Sequence, residues 1–145
     1  MKKIDLHVHT NFSFDADFSP EKIIDLALKK GLKVIAITDH NSLQGIEKAL
    51  EYAKSKKIRV IPGIEISCTE SSSLKEIHIL GLFIDYKNES LKKFLTNQQK
   101  SMKEIIKEIQ RSGGIPILAH PGLYLKEMER IIKYFIDCGG KGLEI

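Results

Sequence analysis

The sequence predicts an α/β fold in which strands and helices alternate and the helices lie outside a mostly parallel sheet or barrel. Two observations support this prediction. Short, apolar, β-branched runs recur along the chain, and segments with the apolar spacing of amphipathic helices separate them. The length of 145 residues and the hydrophobic content of 42% suit a core of ordinary size. Residues 1–145 are therefore expected to form a single domain.

The first predicted strand begins at Ile4 and ends near His9. Its apolar residues alternate with Asp5, His7 and His9, which is the period of a strand with one apolar and one polar face. His7 and His9 therefore point to the same side and are close enough to bind one metal ion. The simpler alternative is a polar strand face that binds nothing.

Start and stop signals predict the elements that follow. Ser19 caps a helix that ends at Gly31, and the apolar residues 34–37 form a buried strand. Asn41 with Gln44 resembles a capping box, which predicts that the second helix begins there.

The second half of the chain continues the alternation. Strands are predicted at residues 59–64, 77–84, 115–119 and 142–145, and helices at residues 90–111 and 125–137. Residues 96–99 weaken the middle of the longer helix, because polar residues of this kind favour turns. The polar residues 69–73 are expected to form an irregular loop.

Residues of the kinds that bind metals lie where these strands end. Functional groups gather at the carboxyl ends of strands in folds of this class. The residues at these ends are His7, His9, Asp39, His40, Glu65 and His120. Four strands that deliver imidazoles and carboxylates to one edge favour a metal centre over coincidence.

Imidazole and carboxylate groups are the usual ligands of zinc, manganese and iron, and a carboxylate such as Glu65 can bridge two ions. Two or three such ions convert a bound water to hydroxide near neutral pH and hold a phosphate during hydrolysis. Other catalytic sites are not indicated, because the sequence has no Ser-His-Asp or Cys-His spacing and no glycine-rich phosphate loop.

The composition argues against several other classes of protein. The net charge of +4 comes from spread lysine pairs without interleaved aromatic residues, which argues against a nucleic-acid surface. Cys68 and Cys138 are isolated and indicate neither a disulfide framework nor a thiolate zinc site. We expect no signal peptide, no membrane-spanning segment and a cytoplasmic location.

Five motifs follow one another along the chain. They are Asp5-Leu6-His7-Val8-His9-Thr10, Thr38-Asp39-His40-Asn41, Gly63-Ile64-Glu65-Ile66-Ser67, His78-Ile79-Leu80-Gly81 and Ala119-His120-Pro121. Together they closely resemble the successive motifs of the polymerase and histidinol phosphatase (PHP) family of metal-dependent phosphoesterases. The resemblance implies a distorted (β/α)7-like barrel with a bi- or trinuclear metal site at the strand ends.

By position, the resemblance implies a ligand set for two to three divalent ions, with zinc, manganese and iron as candidates. The implied ligands are His7 and His9 with Glu65 for the first ion, Glu65 with His78 and His120 for the second, and Asp15 with His40 for the third. Asp39 resembles an outer partner that orients a ligand. Asp39 and Glu65 are therefore the candidate catalytic residues, and Asp17 and Glu144 are alternatives that we do not adopt.

One departure from the family pattern concerns the end of the sequence. The family has a further Gly-Ser-Asp-x-His-like motif, whereas this chain stops at Ile145, before that motif. We therefore expect a fragment of a longer protein, with a barrel that lacks its last strands. An open barrel edge of this kind would favour a homo-oligomer.

The function that the resemblance implies is hydrolysis of a phosphate ester by metal-bound hydroxide. The expected substrate is a small phosphomonoester or a nucleotide, without a stable nucleic-acid complex and without a membrane partner. Two alternatives remain open. One is a 3′-5′ nuclease, and the other is a non-catalytic metal-binding domain that is inactive without the missing motif.

Overall fold

The structure is a computed structural model, which describes residues 3–68, 76–97 and 99–145. The strands are β1 (Lys3–Val8), β2 (Leu32–Ile37), β3 (Arg59–Cys68), β4 (Ile77–Leu82), β5 (Ile115–Leu118) and β6 (Gly142–Leu143). The helices are α1 (Pro20–Lys29), α2 (Gln44–Ala53), α3 (Glu89–Leu95), α4 (Met102–Arg111) and α5 (Met128–Asp137), and a 3-10 segment, Pro121–Glu127, precedes α5. The irregular loop expected at residues 69–73 lies outside the described residues.

The described strands form one sheet in chain order, from β1 to β6. Strands β1, β2 and β3 are parallel, β4 runs antiparallel to both of its neighbours, and β6 is parallel to β5. The sequence predicted the mostly parallel α/β class correctly. The reversal of β4 was not predicted, because the alternation of apolar residues carries no information about strand direction.

The sheet is curled. Strands pack about 4.8 Å apart, so β1 and β6 would be about 24 Å apart in a flat sheet. Nδ1 of His7 in β1 nevertheless lies 3.1 Å from Oε1 of Glu144, the residue that follows β6. The six strands therefore form an open half-barrel, as expected for a barrel that lacks its last strands.

Both faces of the sheet are packed, as β2 illustrates. Ile35 and Ile37 are fully buried in the main core, which also contains Ile24 of α1 and Ile46 of α2. Ala36 faces the other side and belongs to a small second cluster inside the half-barrel. Burial on both sides explains why this strand is continuously apolar.

Capping chemistry sets several helix boundaries. The Ser19 side chain accepts a hydrogen bond from the Lys22 amide, and the helix that it caps ends just before Gly31, whose φ is +76°. The capping box predicted at Asn41 was wrong. Helix α2 begins after Leu43, which makes no side-chain capping hydrogen bond.

Two of the predicted helices differ in extent from the observed ones. The segment predicted at residues 90–111 is divided into α3 and α4, and Ser101 and Glu104 form a capping box at the start of α4. The helix predicted at residues 125–137 begins as the 3-10 segment and becomes α-helical only at Met128. Within the described part of the chain, no helix is both long and apolar enough to cross a membrane.

Candidate metal centre

Glu65, which is fully buried in β3, lies at the centre of a cluster of imidazoles. Its Oε2 atom is 2.9 Å from Nε2 of both His7 and His9. Its Oε1 atom is 3.1 Å from Nδ1 of His78 and 3.0 Å from Nε2 of His120. Each carboxylate oxygen therefore faces its own pair of imidazoles.

The sheet topology explains how distant parts of the chain reach Glu65. His7 lies near the carboxyl end of β1, and His40 and His120 each follow the carboxyl end of a strand by two or three residues. His78 is instead the second residue of β4. Because β4 is antiparallel to β3 and β5, its beginning lies at the edge where the other strands end.

His40 lies on a strained part of the backbone. Asn41, the next residue, has a φ of +49°, and its side chain accepts a hydrogen bond from the Ser67 amide and donates one to the Ser67 hydroxyl, both 3.3 Å long. The amide of His40 donates to the hydroxyl of Ser13. Asn41 thus fixes the loop that carries His40 to β3, and does not cap α2.

Asp15 lies between two of the imidazoles. Its Oδ2 atom is 2.9 Å from Nδ1 of His9 and 3.5 Å from Nε2 of His40. The neighbouring Phe14 stacks on His40, with ring centroids 4.8 Å apart, while the Phe14 side chain remains 87% exposed. The structure therefore brings Asp15 and His40 together.

Asp39 is fully buried beside the cluster and contacts Thr10. Its Oδ1 atom accepts the Thr10 amide at 2.5 Å, and its Oδ2 atom accepts the Thr10 hydroxyl at 2.8 Å. Burial raises the pKa of Asp39, and the two hydrogen bonds from Thr10 act in the opposite direction. Asp39 therefore supports the chain directly after His9.

Glu144 is the residue that sequence reasoning set aside and that the structure places in the cluster. Its carboxylate contacts Nδ1 of His7 and accepts the amide of His120. The strand predicted at residues 142–145 contained Glu144, so no local pattern marked it as part of the cluster. Asp17, the other alternative, is exposed.

The carboxylates and imidazoles shift one another's pKa values. Burial opposes ionisation of Glu65, but the adjacent imidazoles of His7, His78 and His9 outweigh burial and hold its pKa far below the usual range. Burial likewise disfavours charge on His7, His9 and His78, and the adjacent carboxylates outweigh it and raise their pKa values. Burial lowers the pKa of His40, whose neighbours include His9 and His78.

The residues fit a set of divalent metal ions. Three triplets have ligand atoms that all lie within 4.8 Å of one another: His7–His9–Glu65, His9–Asp15–His40 and His40–Glu65–His78. Zinc bonds of about 2.0–2.2 Å in tetrahedral geometry place ligand atoms roughly 3.3–3.5 Å apart, close to the separations of 2.9–3.5 Å seen here. The donor set also suits manganese or iron.

Three imidazole nitrogens of the cluster are buried without a hydrogen bond to a described residue. Nδ1 of His40 and Nδ1 of His120 are buried and have no hydrogen-bond partner among the described residues. Nδ1 of His78 is within ion-pair distance of Glu65 but lacks hydrogen-bond geometry to it. Of these atoms only Nδ1 of His78 faces the carboxylate, because His40 and His120 direct their Nε2 atoms toward it. An unsatisfied buried imidazole nitrogen beside a carboxylate is expected where a cation belongs between them.

The α/β half-barrel and the histidine–carboxylate cluster at its strand ends are typical of one class of proteins. Proteins of this class assemble a metal site from residues of several strands. The family model described as PHP domain matches residues 5–137. This chain therefore belongs to the PHP domain family, and the resemblance found in its motifs is confirmed.

Three curated relatives illustrate the range of the family. An uncharacterised protein of Methanocaldococcus jannaschii is 36% identical over 129 residues, 82% of this chain and 67% of that protein. A 5′-3′ exoribonuclease of Haemophilus influenzae is 34% identical over 77% of this chain and 41% of its own length. A phosphoribosyl 1,2-cyclic phosphate 1,2-diphosphodiesterase of Eggerthella lenta is 32% identical over 56% of this chain and 30% of its own length. The chain thus spans less than half the length of the two named hydrolases.

Two solved structures share the fold. An amidohydrolase from Chromobacterium violaceum superposes with a TM-score of 0.88 at 22% identity, over 97% of this chain and 76% of its own. A protein of Bifidobacterium adolescentis, provisionally named a metal-dependent phosphoesterase, superposes with a TM-score of 0.87 at 18% identity, over 99% and 77% of the two chains. These likenesses confirm the expected incomplete barrel of the PHP type.

Proposed function

We propose that this chain hydrolyses phosphate esters with two or three divalent metal ions bound at the cluster around Glu65. The observation that carries the proposal is the position of Glu65, which is fully buried and presents one oxygen to His7 and His9 and the other to His78 and His120. A carboxylate in this position suits a bridge between two ions. Membership of the PHP domain family supports the same reaction class.

Each proposed ion has a ligand group in the structure. The groups are His7, His9 and Oε2 of Glu65 for the first ion, His78, His120 and Oε1 of Glu65 for the second, and Asp15 and His40, with His9 beside them, for the third. Asp39 acts outside these groups, where it holds Thr10 and thereby the backbone after His9. Bound ions would supply an activated water and neutralise negative charge on a phosphoryl group.

The substrate that we propose first is a small phosphomonoester or a nucleotide. Phe14 supports a nucleotide, because its exposed ring beside His40 offers a stacking surface for a base. Exonuclease activity is the second candidate, and the exoribonuclease relative favours it. That relative is named for 5′-3′ polarity, so we propose 5′-3′ cleavage in preference to the opposite direction.

Metal content and hydrolysis, measured together, test the proposal. Purified protein is analysed by elemental mass spectrometry after loading with zinc, manganese or iron, and is then assayed with an aryl phosphate, a bis-aryl phosphate and a 5′-phosphorylated RNA oligonucleotide. His9→Ala and Glu65→Ala should each lose bound metal and activity. Asp17→Asn, a loop acid two residues from Asp15, serves as the matched control and should retain both.

The possible outcomes separate the candidate functions. Monoester hydrolysis alone would support the first substrate class, and stepwise shortening of the RNA would support the second. Bound metal without turnover of any substrate would favour a non-catalytic metal-binding domain. Normal folding without metal uptake would overturn the ligand assignment.

We also propose that the chain self-associates through the open side of the half-barrel. Within the described sheet, β1 pairs only with β2, and β6 pairs only with β5. Ile4 and Leu6 on β1 are exposed, although they belong to the apolar face of the strand. Light scattering of the purified chain tests this proposal, and a monomer at high concentration would contradict it.

A further inference from the structure

Glu144 joins two parts of the metal centre that come from opposite ends of the sheet. Both carboxylate oxygens lie close to Nδ1 of His7, at 3.1 and 3.2 Å, and Oε2 also accepts the amide of His120 at 2.8 Å. The backbone of Glu144 is itself fixed, because its amide donates to the carbonyl of Leu118 in β5. The carboxylate therefore has a defined position relative to both histidines.

This position influences which nitrogen of His7 can bind a metal ion. A neutral imidazole carries one proton, and an ionised carboxylate can only accept a hydrogen bond. Glu65 faces Nε2 at 2.9 Å and can accept the same proton. Glu144 at Nδ1 competes with Glu65 and favours the tautomer that carries the proton on Nδ1 and leaves the lone pair on Nε2. Nε2 is the nitrogen that faces Glu65 and His9.

The contact with His120 serves the second ligand group. His120 has a φ of +32°, in the left-handed region that residues with side chains seldom adopt. The hydrogen bond from its amide to Glu144 stabilises this conformation and fixes the start of the segment that carries the imidazole. Among the hydrogen bonds between described residues, those of Glu144 to His7 also connect β1 with the end of β6.

We propose that Glu144 is a positioning residue of the metal centre. It favours the Nδ1-protonated tautomer of His7 against the competing carboxylate of Glu65, and it sets the separation between His7 and His120, which belong to the first and second ligand groups. Asp15 has a similar contact with Nδ1 of His9, but it also lies near His40, so its role is not purely one of orientation. The proposal rests on the proposed metal binding, because an imidazole needs a chosen tautomer only if it ligates a cation.

Glu144→Gln is the informative variant. The side chain keeps its shape, and its carbonyl can still accept the amide of His120. Its NH2 group then occupies the position of Oε1, 3.1 Å from Nδ1 of His7, and can donate to that nitrogen, which favours the tautomer with the proton on Nε2. We expect zinc and manganese affinity to fall by about 10–100-fold, the usual effect of removing an outer partner of a ligand. Glu129→Gln removes the same charge from an exposed site on α5 and is the control.

The tautomer can be read directly in the metal-free protein. The two ring nitrogens of His7 are distinguished by their 15N chemical shifts at alkaline pH, where the imidazole is neutral. The fraction of His7 protonated on Nδ1 should be the same in the wild type and in Glu129→Gln, and it should fall in Glu144→Gln, where Glu65 retains the proton on Nε2. The Tm of the metal-free Gln variant should stay near that of the wild type. A purely structural role of Glu144 would allow the same Tm, so the tautomer and the metal affinity are the measurements that distinguish the two roles.

The outcomes are distinct from those that test the proposed function. If the wild type binds no metal, the proposed function fails, and the tautomer measurement still tests the orientation of His7. If Glu144→Gln shows the wild-type tautomer and wild-type metal affinity, Glu144 has no positioning role and the proposal is overturned. If the variant loses metal affinity but excess metal restores kcat/KM with an unchanged KM, Glu144 acts through the metal and the proposal is supported.

Discussion

Glu65 and His78 meet although they enter the centre from strands that run in opposite directions. Oε1 of Glu65 lies 3.1 Å from Nδ1 of His78, and the antiparallel pairing of β3 with β4 creates this proximity. Oε2 of the same carboxylate faces the histidines of β1. A single fully buried side chain thus connects two ligand groups that no local sequence relationship links.

The first prediction concerns the loss of this connection. Glu65→Gln keeps the volume of the side chain but removes the charge that both ligand groups share. Metal content should fall by at least one ion per chain, and hydrolysis should fall by ~100-fold or more. The metal-free variant should lose roughly 3 kcal/mol in the free energy of unfolding, because positively charged imidazoles remain without their buried partner.

Elemental analysis, a hydrolysis assay and urea unfolding of the metal-free protein check these expectations. Glu129→Gln is a suitable control, because it removes the same charge from an exposed position on α5. Full metal content in Glu65→Gln would exclude a bridging role.

The second prediction concerns the pH dependence of the metal-free protein. The lowered pKa of Glu65 stabilises the fold above the ordinary value of 4.5, and this contribution is lost as the pH falls through the folded value. The raised pKa values of His7, His9 and His78 stabilise the fold below 6.5, and this contribution is lost as the pH rises through the folded values. His40 has a lowered pKa, which costs stability at low pH, and this cost disappears as the pH rises to 6.5.

The metal-free protein should therefore be most stable between pH 4.5 and 6.5 and should lose stability above this window. Metal ions bind neutral imidazole, so the loaded protein should gain stability as the pH rises through the same range. Urea unfolding with and without a chelator, on both sides of the window, measures the two trends. Parallel trends with and without metal would contradict the prediction.

Sequence reasoning selected these members of the cluster because their signal is local. His7 and His9 alternate with apolar residues in one strand, and His40 and His120 each follow an apolar run within three residues, so short patterns suffice to locate them. Glu144 carries no such signal. It follows a strand of two residues, and only the curl of the sheet brings it to His7.

Errors in the predicted elements have a related cause. Asn41 and Gln44 have the spacing of a capping box, but Asn41 instead contacts Ser67, which is 26 residues away in the sequence. A local motif and a tertiary contact competed for one side chain, and the tertiary contact determined the structure. The direction of β4 could not be predicted from the sequence either, because strand pairing depends on long-range topology.

The third prediction concerns Gly45, the second residue of α2. A Cβ atom at this position would lie 2.5 Å from Oδ2 of Asp39 and 2.8 Å from Oγ1 of Thr10. Alanine favours helices by about 1 kcal/mol over glycine, but the clash with two buried, hydrogen-bonded atoms should outweigh that gain. Gly45→Ala should therefore destabilise the protein by about 1–3 kcal/mol.

Because Thr10 follows His9, Gly45→Ala should also weaken metal binding at the first ligand group. Gly122→Ala is the control for stability, since a Cβ atom there meets nothing within 4 Å. Urea unfolding and metal titration measure both effects. A Gly45→Ala variant as stable as the wild type would show that Asp39 and Thr10 can move without cost.

The fourth prediction concerns Tyr124, which is buried beside the second ligand group. Its hydroxyl accepts the amide of His78 and donates to the carbonyl of Ala119, the residue before His120. Burial raises the pKa of Tyr124 to about 12, so the phenol stays protonated and can make both hydrogen bonds. Tyr124→Phe removes both and leaves the amide of His78 buried without that partner.

Tyr124→Phe should cost about 1–3 kcal/mol in the free energy of unfolding, the usual penalty for an unsatisfied buried group. It should also weaken the second metal site by about 10-fold, because His78 and His120 lose a common support, while the first site at His7 and His9 should be little affected. Stepwise metal titration distinguishes the two sites. Tyr52→Phe, which removes a hydroxyl that contacts only the exposed Asp25 carboxylate among the described hydrogen bonds, should change neither site. Equal weakening of both sites in Tyr124→Phe would mean that the hydroxyl supports the whole fold and not the His78–His120 group.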